Sequence, residues 1–225
     1  MKLKWYGHAS FRVTAEDGTT VITDPYTPEI TGYAPIPDGC EVVIMSSDND
    51  RSHCRADLIR GQPTVINALE VAQSDGAISA GGIDFFAIKS MEALDHRYHD
   101  PDQNALYRFA ADGISVGHMG DVGNPLNDDQ IAFFKNVDVL LALTGGHPTI
   151  ELDDLKTIID RVQPRLVVPM HFQTLRYKPR NLLWIESFLE YFDSADVDFV
   201  CDTEAVLTAE SLPGATRVLV LAHAC

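Results

Sequence analysis

His118 to Leu126 reads HMGDVGNPL, and the residues on either side of it set the organisation of the chain. The apolar run Ile114 to Val116 enters the segment as a strand, Gly120 breaks it, and Asp121 is left at its end. Asn127, followed by Asp128, Asp129 and Gln130, has the form of a helix N-cap with Gln three residues on, which predicts a helix to about Lys135. Val137 to Leu143 is then an apolar strand. Leu152, Leu155, Ile158, Ile159 and Val162 recur at helical spacing up to Pro164, and Leu166 to Val168 is strand again. Leu182, Ile185, Phe188, Leu189 and Phe192 predict another amphipathic helix, and Thr216 to Leu221 a closing strand.

Ahead of His118 the chain is strand-rich. Lys2 to Tyr6, Ser10 to Thr14 and Thr19 to Thr23 are aromatic and β-branched runs separated by Gly7 and by the turn Glu16, Asp17, Gly18, and they read as an antiparallel meander. Further strands fall at Glu41 to Met45, Pro63 to Asn67, Ile83 to Ile88 and Ala105 to Phe109. No linker, repeat or low-complexity stretch interrupts residues 1–225, so a single α/β domain is expected.

Charge narrows the function classes. Lys and Arg total 17 against 33 Asp and Glu, a net charge of −16, which repels phosphate backbones and anionic lipid and argues against nucleic acid or membrane as a partner. The N-terminal residues lack the apolar run of a signal peptide and no segment approaches the ~20 apolar residues of a membrane span, so a cytoplasmic location is expected. Cys40, Cys54, Cys201 and Cys225 show no metal-ligand spacing and are expected to be reduced thiols.

Five segments together carry a resemblance: GHASF at Gly7 to Phe11, TDP at Thr23 to Pro25, HMGDVGNPL at His118 to Leu126, GGHPTI at Gly145 to Ile150 and VVPMHF at Val167 to Phe172. In order and spacing they resemble the metallo-β-lactamase superfamily, and within it the metal-dependent hydrolases related to ascorbate-phosphate lactonases. The resemblance implies an αββα four-layer sandwich with its site at one edge of the sheets. It also implies one or two metal ions held by an HxHxDH motif after an early strand, a later histidine, a bridging aspartate and a final histidine. Such ions acidify a bound water and polarise the bond to be cut. Asp121 matches the bridging aspartate, with a catalytic role, and His171 the final histidine.

The HxHxDH segment is rewritten. After Glu41 to Met45 the chain reads Ser46, Ser47, Asp48, Asn49, Asp50, Arg51, Ser52, His53, and two registers are open. In one, the ligand positions hold Ser47, Asn49, Arg51 and Ser52, and the arginine cation opposes metal. In the other, anchored on Gly61 and Pro63, they hold Asp48, Asp50, Ser52 and His53; matching Gly82 to Ala87 to the family's strand puts Glu92 at the later histidine. The second register gives the ligand set Asp48, Asp50, His53, Glu92, Asp121 and His171. So many oxygen donors suit Mn²⁺ or Mg²⁺ better than zinc, if any ion binds.

Other polar residues have plainer readings. His8 and Asp24 are expected to be structural supports beneath the site, and His118 an orienter of Asp121 satisfied in the core. His147 is expected near the start of a helix as a capping residue. His96, Arg97, Tyr98 and His99 form a polar cluster that either flanks the pocket or lies in an open loop. Two functional classes follow: a hydrolase of a small ester, lactone or phosphodiester, and a metal-free pseudoenzyme or binding scaffold of the same fold.

Overall fold

The computed structural model describes residues 1–92 and 103–225; His96, Arg97, Tyr98 and His99 lie outside them. The strands in chain order are β1 (Lys2–Gly7), β2 (Ser10–Thr14), β3 (Thr20–Thr23), β4 (Val42–Met45), β5 (Thr64–Asn67), β6 (Ala77–Ala80), β7 (Ile83–Ser90), β8 (Asn104–Ala111), β9 (Ile114–His118), β10 (Val139–Leu143), β11 (Leu166–Met170), β12 (Val197–Val200), β13 (Glu204–Val206) and β14 (Arg217–Leu221). They form two mixed sheets, in the orders β13-β1-β2-β3-β4-β5 and β12-β14-β11-β10-β9-β8-β7-β6. The helices are α1 (Pro28–Thr31), α2 (Ala68–Gln73), α3 (Asp128–Phe133), α4 (Leu152–Val162) and α5 (Ile185–Leu189).

Side-chain alternation explains why the sheets stack. Val21, Val42 and Ile44 face a core shared with Phe85, Phe109, Val116 and Leu141 of the second sheet, while the intervening Ile22, Val43 and Met45 join Tyr6, Tyr26 and Tyr33 on the first sheet's other face. The strands β9, β10 and β11 run parallel. All five residues of β10 and of β11 are buried, as strands covered on both faces require. α4 is the crossover between β10 and β11 and buries Leu152, Leu155, Ile158, Ile159 and Val162. This is the α/β sandwich expected from the sequence.

Local expectations are met where side chains alone decide. Asn127 accepts from the Gln130 N–H at 3.0 Å and its own N–H donates to the Gln130 side chain at 3.0 Å, completing a capping box at α3. The helix expected over 182–192 shrinks to Ile185–Leu189 because the residues before it pair elsewhere: Leu183 N–H donates to the Gly145 carbonyl at 2.7 Å, and Gln173 N–H to the Leu183 carbonyl at 2.8 Å. The short edge strands β6 and β12 were not anticipated; both are largely exposed and carry no strong apolar pattern. Among the described residues no helix is long and apolar enough to cross a membrane.

Candidate metal centre

The parallel strands β9, β10 and β11 finish at one edge of the second sheet, where ligands gather in open α/β sheets. From β9 comes Asp121, from the loop after β10 Pro148 and Thr149, and from β11 His171. The first sheet contributes His8 from the β1–β2 turn and Asp50, Ser52 and His53 from the loop after β4. With Glu92 and Tyr177 they line a cavity of about 110 Å³.

Each side chain is aimed by its own backbone. At the β1–β2 turn, Gly7 has φ 123° and a Cβ there would lie 2.6 Å from the Tyr33 ring, so only glycine lets the chain turn and present His8. His8 and His171 both have left-handed backbones, φ 53° and 54°, and the His171 N–H donates to the His8 carbonyl at 3.0 Å. Asp24 fixes the start of the loop after β4, its carboxylate accepting from Ser46 N–H and Ser46 Oγ, each at 2.8 Å. Asp121 follows Gly120 and donates its N–H to Asn104 Oδ1 at 3.1 Å. His118 holds that turn as its Nδ1 accepts from Gly120 N–H and its Nε2 faces the Ala9 carbonyl, both at 2.9 Å. Two engaged nitrogens fix its tautomer with the proton on Nε2.

The reactive groups converge. His53 Nδ1 lies 2.6 Å from Asp50 Oδ2 and 3.7 Å from Asp121 Oδ2. His171 Nε2 lies 3.4 Å from Asp121 Oδ1. Ligand atoms of His8, His53 and His171 lie within 4.8 Å of one another, as do those of Asp50, His53 and Asp121. Five buried atoms here have no hydrogen-bond partner among the described residues: both ring nitrogens of His8, Nε2 of His53, Nδ1 of His171 and Oδ1 of Asp121. Leaving such atoms unmatched costs about 1–3 kcal/mol each. Unpartnered imidazole nitrogens beside a carboxylate oxygen are the donor set of a divalent transition cation.

Electrostatics separate the three imidazoles. Burial, reinforced by the neighbouring His171 and His53, drives His8 well below the usual histidine range. Burial likewise takes His171 down to about 4, although Asp121 opposes it. Burial also pushes His53 down, but the carboxylates of Asp121 and Asp50 outweigh it and lift the ring to about 10. Asp50 is pushed up by burial and held well below the carboxylate range by His53.

Asp50, His53, Glu92, Asp121 and His171 of the expected ligand set line the cavity. Glu92 belongs to neither group of converging ligand atoms. Asp48 does not line it: Ser47 Oγ contacts Asn49 Oδ1 at 2.6 Å, Asn49 Nδ2 donates to the Gln103 carbonyl at 2.9 Å, and Asp48 between them is exposed. Within this loop Asp50, Ser52 and His53 face the cavity and Asp48 does not. Arg51 points to solvent and makes no ion pair with Asp121, its carbonyl accepting from Thr27. His147 is exposed, and the N-cap of α4 is Glu151, so the capping role expected of His147 is not taken. Sequence reasoning gave His8 a supporting role, yet its ring sits inside the cluster. The available signal was that His8, like His171, directly follows a strand at a sharp turn.

A two-sheet sandwich with a polar, histidine-rich edge cavity defines the class. Residues 2–171 match the family described as the beta-lactamase superfamily domain, and the chain belongs to that family. It is 26% identical to a UPF0173 metal-dependent hydrolase from Alkaliphilus metalliredigens, over 88% of this chain and 95% of that protein. A UPF0173 metal-dependent hydrolase from Thermoplasma acidophilum is 24% identical, over 77% of this chain and 84% of its own length. Among solved structures, a protein from Thermotoga maritima assigned as a Zn-dependent hydrolase of the metallo-β-lactamase superfamily superposes with a TM-score of 0.76 at 30% identity, covering 98% of this chain and 97% of that one.

Proposed function

We propose that the chain is a metal-dependent hydrolase of a small ester, lactone or phosphodiester, working with an altered ligand set. The observation that carries the reading is the convergence of buried, unpartnered histidine nitrogens and an Asp121 oxygen in one cavity. The names of the relatives support it. His53, Asp121 and His171 would hold the ion. Asp50, through its 2.6 Å contact, would fix the orientation of the His53 ring so that Nε2 is the coordinating atom. This set keeps the same two histidines with fewer oxygen donors than the set expected from the sequence, which favours Zn²⁺, Fe²⁺ or Mn²⁺ over Mg²⁺. A bound divalent cation supplies an acidified water and polarises the scissile bond. Asp121 would both help to hold the ion and orient the water for attack, its carboxylate serving as the proton acceptor. Tyr177, stacked on His8 with ring centroids 5.4 Å apart, walls the cavity.

The test is elemental analysis of protein purified without chelator, followed by hydrolysis of p-nitrophenyl acetate, bis(p-nitrophenyl) phosphate and a simple lactone. Hydrolysis of one substrate class should need the ion and disappear on chelation. A chain that takes up no divalent ion and hydrolyses none of them is the metal-free scaffold instead. That second reading has one observation in its favour: His53 Nδ1 lies 2.6 Å from Asp50 and 3.7 Å from Asp121, where a proton on its ring would balance charge without an ion.

A further inference from the structure

We infer that His8, outside every segment where the sequence placed a ligand, is itself a metal ligand, and that the centre takes one ion. The inference rests on the reading of this cavity as a metal centre and names its third imidazole and its stoichiometry.

His8 is pinned by its backbone. Its carbonyl accepts from the Trp5 indole at 3.0 Å and from the His171 N–H at 3.0 Å, so the turn cannot swing the ring away. The ring is 2% exposed, and neither nitrogen has a partner among the described residues. His118 shows how this fold satisfies a buried histidine that has no ligand to bind: both of its nitrogens are engaged, each at 2.9 Å. His8 lacks any such arrangement, and what its nitrogens face is the ligand atoms of His53 and His171, all within 4.8 Å. A neutral His8 ring carries one lone pair, which buried at this cost needs an electron-pair acceptor, and three imidazole nitrogens around one point suit a borderline transition cation.

The count of one follows from His53. The two converging groups, His8 with His53 and His171, and Asp50 with His53 and Asp121, share that residue. Its Nδ1 is committed to Asp50 at 2.6 Å, which leaves Nε2 as its one coordinating atom. One lone pair binds one ion. Ser47 and Asn49, the residues at the other end of the rewritten segment, are tied to each other at 2.6 Å and add no competing donors of comparable strength. The competing account of His8 is packing, since its ring also stacks on His171 with centroids 4.0 Å apart.

The experiment titrates the chelator-stripped full chain with Co²⁺, with Zn²⁺ competition for affinity, and counts imidazoles by X-ray absorption. Wild type should bind one equivalent with three imidazoles. His8→Phe keeps a stacking ring without a lone pair, and His8→Asn tolerates the left-handed backbone; circular dichroism confirms that each folds. Either folded variant should bind at least tenfold more weakly and show two imidazoles. Unchanged affinity in a folded variant assigns His8 to packing and overturns the inference while leaving the metal reading intact. A second equivalent lost in Asp121→Asn overturns the count. A wild type that binds no ion removes the metal reading and this one with it. If neither variant folds, the wild-type count decides: three imidazoles support His8, two refute it.

Discussion

The rings of His8 and His171 lie 4.0 Å apart at their centroids, tilted by 31°, and the N–H of His171 donates to the carbonyl of His8 at 3.0 Å. This bond joins the β1–β2 turn of the first sheet to the end of β11 in the second, so the two halves of the sandwich meet at the site. Both residues hold left-handed backbones. Conformations of that kind cost a non-glycine residue about 1–3 kcal/mol and persist where the surroundings over-determine them. Two of the three clustered histidines that keep a ring nitrogen unmatched among the described residues carry this strain.

Metal and stability should be linked through Asp121. An ion held only by the folded state adds about 2.7 kcal/mol at a hundred times its Kd, roughly 5–11 °C in Tm for a domain of this size. We expect chelation to lower the Tm of wild type by several degrees and to leave Asp121→Asn unmoved, with hydrolysis lost in the variant. Differential scanning fluorimetry with and without added Zn²⁺ or Mn²⁺ reads this, and equal shifts in both proteins would contradict the placement of the ion at Asp121.

Gly120→Ala should disable the site through the backbone. Gly120 has φ 59°, and a Cβ there would lie 2.6 Å from the Ala105 carbonyl oxygen. Strained conformation and backbone clash together should cost more than about 2 kcal/mol, and relaxing them displaces Asp121, the next residue. Urea denaturation should show the loss, and a variant as stable as wild type would mean that the turn has room to spare.

The sandwich was legible because strand and helix patterns and Gly-rich turns act locally. Asp121 and His171 were singled out because their segments resemble the family's, His171 directly after β11 and Asp121 a short turn past β9. The segment from Ser46 to His53 was harder to read, because it is a loop whose register depends on partners distant in sequence: Asp24 holds Ser46, and Gln103 holds Asn49. No pattern within the loop announces that Asp48 faces solvent while Asp50 faces His53. His8 was read as a support because a lone histidine after a strand gives no sign of what its ring will face. The strand order of the first sheet brings it to His53, and the packing of the second sheet brings it to His171.

Away from the site, Asp38 gives the chain an acid-sensitive tether. Burial pushes its carboxyl up, but hydrogen bonds from the Tyr6 hydroxyl and from Lys4 Nζ at 2.9 Å, with the Lys4 charge, hold it below the usual carboxylate value. A depressed folded pKa contributes stability that is present above the unfolded pKa of about 3.9 and is lost as pH falls through the folded value. Asp38→Asn should therefore be less stable than wild type at pH 7, and the gap should close below pH 4. Denaturant midpoints across pH 2.5–7 would show it, and a gap that persists in acid would rule the carboxylate out as its source.

Asp24 should govern the metal loop without touching the ion. It is fully buried, and burial raises its carboxyl above the usual value. Its oxygens accept from Ser46 N–H and Ser46 Oγ at 2.8 Å and from the Tyr107 hydroxyl at 3.1 Å. Asp24→Ala strands three buried donors at once, a loss of about 2–4 kcal/mol, and frees the first residue of the loop that carries Asp50 and His53. Asp24→Asn keeps an oxygen for the Ser46 N–H and an amide that can donate to Ser46 Oγ, so it should fold and lose less. Supports one step removed from a metal typically change its affinity by roughly 10–100-fold, and we expect that range for Asp24→Ala and under tenfold for Asp24→Asn. Co²⁺ titration of both variants, alongside urea denaturation, measures the two effects separately. If Asp24→Ala is destabilised yet binds Co²⁺ as wild type does, the loop after β4 is positioned by something other than Asp24.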